Sequence, residues 1–299
     1  MKQDGQPPLA VMITAVGLAV ITITILCNLH RLGPGLPERL NLERLSHAPG
    51  PQITIVAIGT SKSRHGIHFD SAMSEALSQA GISANFYRIT HSSATIRQLR
   101  PALDHLTQNP PDLLLLESDL LIFEPWGKNR RIQWNLQLKK NVRKIIDLLR
   151  KKNITKENHG IIAFKKAELC IKEKPSLLKR FEKNVETRKV SSESERADYH
   201  DYLMPMVEQG THVVLLELPR SPAANAFFPQ KLRVEASRLR TRYADMPGFS
   251  NWKPPPLLLP EIDYCDHGHL RESGREKFSQ WLVTQIANSP FSHKGLSDD

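Results

Sequence analysis

The chain has 299 residues, 40% of them hydrophobic, which suffices for a substantial core in one large or two small domains and excludes a disordered or fibrous protein. Its formal charge of +10 invites a nucleic-acid reading, but no zinc finger, aromatic RNA-binding signature or basic zipper region accompanies the charge, so no nucleic-acid partner is expected. Cys27, Cys170 and Cys265 fit no zinc spacing, and a Cys170–Cys265 disulfide or a pair of reduced thiols are both open.

Residues 1–8 are a short polar flank. From Leu9 to Cys27 no residue is charged, and the run ends at Asn28-Leu29-His30-Arg31. The span 9–30 is long enough to cross a bilayer and too long for a typical signal peptide, so it predicts a single transmembrane helix. Charge counting alone, with Arg31, Arg39 and Arg44 after the helix, would leave the bulk of the chain in the cytoplasm. Residues 31–51 carry Pro34, Pro37, Pro49 and Gly33, Gly35, Gly50, the composition of a tether.

A globular domain over 52–290 follows. Ile53 to Ile58 is β-branched and stops at Gly59, so it predicts a buried strand. A helix is expected from Asp70 to Ala80, closed by Gly81, then a strand over Ala84–Ile89, a helix over Ile96–Thr107 and a buried strand over Asp112–Glu117. Arg130 to Lys152 has apolar residues at helical spacing among many cations. It reads first as a solvated helix face and second as a contact for anionic lipid headgroups or an acidic polymer. Residues 151–195 are a charged insertion, within which Gly160–Phe164 has strand character. Later elements are a helix over Ala197–Gln209, a strand over His212–Leu218, and a last helix near Ser273–Asn288 with capping-box spacing at Ser273 and Glu276. Residues 291–299 form a tail. Strands alternating with helices imply an α/β fold, a mostly parallel sheet with helices on both faces, whose active groups collect where strands deliver their carboxyl ends.

Gly59-Thr60-Ser61 stands directly after the first strand, and Asp266-His267-Gly268-His269 lies just before the last helix. A serine hydroxyl needs an imidazole to take its proton and a carboxylate to orient that imidazole. Ser61, His269 and Asp266 are therefore the candidate catalytic set, with His267 and Asp263 as second choices.

In this order and placement the motifs resemble those of the SGNH, or GDSL-like, hydrolases, which carry Gly-Asp-Ser after the first strand and Asp-x-x-His before the last helix. Val213-Val214-Leu215-Leu216-Glu217-Leu218-Pro219-Arg220-Ser221-Pro222 is similar to the strand and proline turn of that family's membrane-bound branch, which includes D-alanyl transfer and alginate acetylation proteins. The resemblance covers roughly residues 52–288 apart from the insertion. It implies an SGNH or flavodoxin-like fold and an esterase or O-acyltransferase acting on an acyl group, acetyl first, of a cell-envelope or exported polysaccharide. It further implies an extracytoplasmic, periplasmic domain, a membrane partner through the N-terminal helix, other membrane proteins of a polysaccharide system, and no metal or organic cofactor. The alternative is a non-catalytic envelope-assembly or polysaccharide-binding module.

The chain departs from the family where the oxyanion hole is completed. The family's glycine after the second strand and its Gly-x-Asn-Asp block after the third are here His91-Ser92-Ser93 and Glu117-Ser118-Asp119. Ser92 and Ser118 are the candidate replacement donors beside the Ser61 amide. Asp119 brings a negative charge to a place that should welcome an oxyanion.

Overall fold

The computed structural model describes residues 52–91, 94–124, 185 and 188–290, all within one compact unit. Five strands form one sheet: β1 (Ile53–Gly59), β2 (Ala84–Thr90), β3 (Leu113–Glu117), β4 (His212–Leu216) and β5 (Phe249–Trp252). Their spatial order is β2-β1-β3-β4-β5, and every neighbouring pair is parallel. This is the flavodoxin-like doubly wound order, whose reversal lies between β1 and β3.

The inner strands β1, β3 and β4 are dominated by apolar residues because both faces of the sheet are covered, while the edge strands β2 and β5 mix polar and apolar residues. Along β1, Ile55 and Ala57 join one core while Val56 and Ile58 join the other; β3 divides Leu113 and Leu115 from Leu114 and Leu116 in the same way. Met73 and Leu77 of α2 (Asp70–Gln79) and Phe278, Leu282 and Ile286 of α8 (Glu272–Ala287) cover the first face. The second face carries Leu99 and Leu103 of α3 (Ile96–Gln108), Leu203 and Met206 of α5 (Glu193–Glu208), and Tyr243 of α7 (Gln230–Ala244). The described residues also include the short helices α1 (Ser61–Gly66), α4 (Ser118–Ile122) and α6 (Pro222–Phe227) and a 3-10 turn at Glu261–Asp263.

Several expectations shift. The strand expected to reach Leu218 stops at Leu216, which pairs with Trp252 at the end of β5, although the Glu217 amide still donates to the Trp252 carbonyl at 2.9 Å. Helix α5 begins at Glu193, four residues before Ala197. Helix α7 and strand β5 lie in a stretch without clear periodicity; β5 is only Phe-Ser-Asn-Trp, an edge strand with one fully buried residue. The capping box at Ser273 and Glu276 does not form. Ser273 Oγ instead donates to Asp263 at 2.6 Å, and Glu276 pairs with His68 at 2.6 Å, so long-range partners displace the local cap.

Among the described residues no helix is long and apolar enough to cross a membrane. The expected transmembrane span 9–30, the tether 31–51, the basic stretch 130–152, the strand-like 160–164 and the tail 291–299 lie outside the described residues. The end of the charged insertion is described. Val190 bridges Phe123, the Ser191 amide donates to the Ile122 carbonyl at 2.9 Å, and Val185 is buried against Phe123 and Phe228.

Candidate active site

Ser61 is the first residue of α1, directly beyond the carboxyl end of β1. Thr60 caps the helix, its hydroxyl accepting from the Lys62 amide. The turn is gripped from β3. Glu117, fully buried, accepts the Thr60 amide at 2.7 Å, the Thr60 hydroxyl at 2.9 Å and the Ser63 hydroxyl at 2.7 Å. Gly59 makes this approach feasible, since a Cβ there would stand 1.8 Å from Ser63 Oγ and 2.7 Å from the Glu117 carboxylate.

The second half of the site is the loop 264–270. Tyr264 and Leu270 form an antiparallel bridge, and the Cys265 amide donates to the His269 carbonyl at 2.8 Å. Inside this closed loop Asp266 Oδ1 accepts the Gly268 and His269 amides, each at 2.9 Å, a local turn that an aspartate makes readily. Its other oxygen lies 2.6 Å from His269 Nδ1, and His269 Nε2 lies 2.9 Å from Ser61 Oγ. Ser61, His269 and Asp266 thus form one continuous hydrogen-bonded chain. Burial works against an ionised Asp266, but the imidazole hydrogen bond and charge and the two loop amides together bring its pKa down to about 2.

The second choices stand elsewhere. Asp263 is buried under α8, accepting Ser273 Oγ at 2.6 Å and Lys277 Nζ at 2.7 Å, and a Cβ on Gly274 would come within 2.5 Å of its carbonyl oxygen. It fastens the last helix to the loop. His267 is buried, with its carbonyl accepting the Ser221 amide at 3.0 Å, and it is His269 that reaches Ser61. Ser118 is buried with no hydrogen-bond partner for its hydroxyl among the described residues, and Ser92 lies outside them.

Asp119 is not the bare negative charge that the sequence suggests. Its Oδ2 pairs with Arg220 at 2.6 Å and Lys62 at 2.7 Å, with Arg188 at 3.6 Å. Burial alone would raise its pKa, yet Arg220, Lys62 and Arg188 hold it well below the ordinary carboxylate value. Its charge is therefore neutralised within the site.

His65 is a further site residue that sequence motifs do not reveal. Its ring meets the His269 ring edge-on with centroids 4.8 Å apart. Burial, followed by the charges of His269 and Arg275, lowers its pKa to about 4, so at neutral pH it adds no charge beside His269. The available signal was spacing: His65 is four residues after Ser61, one turn along α1. Cys265, immediately before Asp266, is disulfide-bonded.

No protein-family model matches the chain, and no curated protein matches it. Among solved structures it is similar to a candidate acylhydrolase from Bacteroides fragilis, at 10% identity over 86% of this chain and 100% of that one, with a TM-score of 0.43. It is also similar to a GDSL-like lipase from Bacteroides thetaiotaomicron, at 12% identity over 85% of this chain and 98% of that one, with a TM-score of 0.38. These likenesses are distant, and the chemistry of the site is read from its own geometry.

Proposed function

We propose that this protein is a serine acyl ester hydrolase or O-acyltransferase of the SGNH type, with Ser61 as nucleophile, His269 as general base and acid, and Asp266 as the group that orients the imidazole. The observation that carries the reading is the hydrogen-bonded chain from Ser61 through His269 to Asp266. Ser61 Oγ attacks the acyl carbonyl carbon while its proton passes to His269 Nε2. The carbonyl oxygen becomes an oxyanion, and its collapse breaks the ester C–O bond as His269 protonates the departing alcohol. Water or an acceptor hydroxyl then attacks the acyl-serine, His269 again taking the proton. Release of the acid or the new ester restores Ser61.

The substrate in this reading is an acylated polysaccharide of the cell envelope or one in export, with acetyl the first candidate acyl group. Residues 9–30 anchor the chain in the membrane, and the domain is extracytoplasmic. The disulfide at Cys265 supports that side, because such bonds persist in oxidising compartments. A cysteine introduced into the tether should react with an impermeant maleimide in intact cells; reaction only after lysis would put the domain in the cytoplasm.

Labelling with a serine-reactive fluorophosphonate tests the reaction. Wild type should be tagged and Ser61→Ala should not. Absence of tagging in folded wild type would favour a non-catalytic polysaccharide-binding module.

A further inference from the structure

The hydrogen-bonded chain of the site joins two halves that lie far apart in the sequence, Ser61 at the start of α1 and the loop that carries Asp266 and His269. Their contact lasts only while α1 and that loop keep their spacing. In the sheet, β3 stands between β1 and β4, so residues just past its carboxyl end lie between the turn that carries Ser61 and the segment that leaves β4. Asp119, in the first turn of α4, occupies that place and holds both sides. Its Oδ2 accepts from Lys62 Nζ at 2.7 Å and from Arg220 Nη2 at 2.6 Å.

Each of these cations is one residue from a part of the site. Lys62 follows Ser61 directly, and its stem lies against the catalytic loop, where a Cβ on Gly268 would stand 3.2 Å from Lys62 Cε. Arg220 precedes Ser221, which is buried, caps α6 with its hydroxyl and donates its amide to the His267 carbonyl at 3.0 Å. A single carboxylate oxygen therefore links the nucleophile's helix to the segment bonded to the base's loop. The two cations that share it are poorly solvated, with side chains 16% and 9% exposed. Like charges so close repel each other, and the carboxylate between them offsets the repulsion. The Lys62 ammonium registers both effects, since burial and the Arg220 charge lower its pKa while Asp119 raises it. Arg188 at 3.6 Å and Arg240 at 3.8 Å also approach Asp119, and Arg188 is packed over Phe123 at 4.1 Å, so the carboxylate is fixed from several sides.

We propose that Asp119 is a positioning residue for the acyl chemistry: by holding Lys62 and Arg220 on one oxygen it sets the spacing between Ser61 and His269. It acts through these two cations and not on the substrate. The consequence for rate rests on the function proposed above; the control of spacing does not. Removing the charge of Asp119 while keeping its shape leaves Lys62 and Arg220 facing each other without a carboxylate between them, which drives α1 away from the segment at Ser221. A misplacement of about 1 Å between reacting groups can cost about 10²-fold in rate, so a small shift suffices.

The test uses the full chain in detergent, well below its melting temperature, and reads fluorophosphonate tagging of Ser61 and turnover of p-nitrophenyl acetate per folded molecule, so that lost stability does not count. Asp119→Asn should slow tagging and lower kcat by about 10²-fold while KM stays within about twofold, the mark of lost alignment. Lys62→Met keeps the stem against Gly268 and cuts one tie without adding repulsion, so its loss should be smaller, about tenfold. Asp119→Asn combined with Lys62→Met removes the carboxylate and one of the two cations, and should return to the Lys62→Met rate. A wild-type rate in folded Asp119→Asn or in Lys62→Met, or losses that multiply in the double variant, overturns the proposal. If Asp119→Asn does not fold, Lys62→Met against the double variant still decides, equal rates supporting the proposal and a slower double variant refuting it. Crystal structures add a readout that needs no turnover: the Ser61–His269 contact should open beyond hydrogen-bond reach in Asp119→Asn and be kept in the double variant. Untagged wild type together with that opening removes the acyl chemistry and leaves the positioning role; tagged wild type with the contact unaltered in Asp119→Asn removes the positioning role alone.

Discussion

Glu117 at the end of β3 lies 2.7 Å from the amide nitrogen of Thr60, so a buried carboxylate on one strand holds the residue before Ser61, just beyond the end of the neighbouring strand β1. The same oxygen accepts the Ser63 hydroxyl at 2.7 Å, which clamps both sides of Ser61. In Glu117→Gln one of these acceptors becomes an amide N–H facing another donor. Unfolding free energy should fall by about 1–3 kcal/mol, the usual cost of leaving buried polar groups unmatched. Tagging of Ser61 should slow as well. Denaturant melts with an unaltered midpoint would show that the clamp is dispensable.

The hydrogen-bonded chain predicts a pattern of non-additive losses. Ser61→Ala and His269→Ala should each remove ester turnover, and the double substitution should be no worse than either alone, as expected of groups acting as a unit. Asp266→Asn should cut kcat by up to about 10⁴-fold, since the amide favours the wrong imidazole tautomer. Near wild-type turnover in His269→Ala would remove His269 from the mechanism.

The depressed pKa of Asp266 makes a statement about acid stability. Its folded value of about 2 lies below the ordinary aspartate value near 3.9, so its contribution is present above about pH 4 and lost as pH falls toward 2. Ionisation of this carboxylate is therefore complete throughout the neutral range and cannot set an acid limb of activity above pH 4. In acid melts between pH 4 and 2, Asp266→Asn should lose less stability than wild type.

His65 acts in a different window. Its folded pKa of about 4 lies below the ordinary imidazole value near 6.5, so the unfolded chain binds the proton first. The favourable contribution is complete above about pH 6.5 and disappears as pH falls toward 4. Allowing for the half-buried position of the ring, the loss should be about 1–2 kcal/mol. His65→Gln should flatten the slope of stability against pH between 6.5 and 4. An equally steep slope in that variant would assign the acid sensitivity to another group.

Two glycines predict sharp steric penalties. Gly59→Ala would drive a methyl group into Ser63 Oγ and the Glu117 carboxylate, and Gly274→Ala would press α8 against the Asp263 carbonyl. Overpacking of this kind costs about 1–3 kcal/mol. Gly81→Ala has open space around it but a φ of +81°, so its penalty should come from backbone strain alone. Comparing the three by calorimetry separates crowding from conformational cost.

The amino-acid sequence by itself determined the alternating strands and helices, because a strand buried on both faces must be a continuous apolar run and an amphipathic helix must repeat near 3.6 residues. Those are local constraints, readable in Ile53–Ile58, Leu113–Leu116 and Val213–Leu216. It also marked Ser61, Asp266 and His269, since a hydroxyl nucleophile and its imidazole have few places to stand on a parallel sheet. The tertiary structure decided what depends on distance in space. It paired Glu117 with Thr60 and Ser63 across 57 and 54 residues of chain, and set His65 against His269. Asp119, a negative charge without a nearby cation in the sequence, became the centre of a cationic group once α1, the segment after β4 and the segment at Arg188 converged on it. Charge compensation between residues far apart in the chain leaves no periodic trace, because only the fold fixes which side chains share a poorly solvated space.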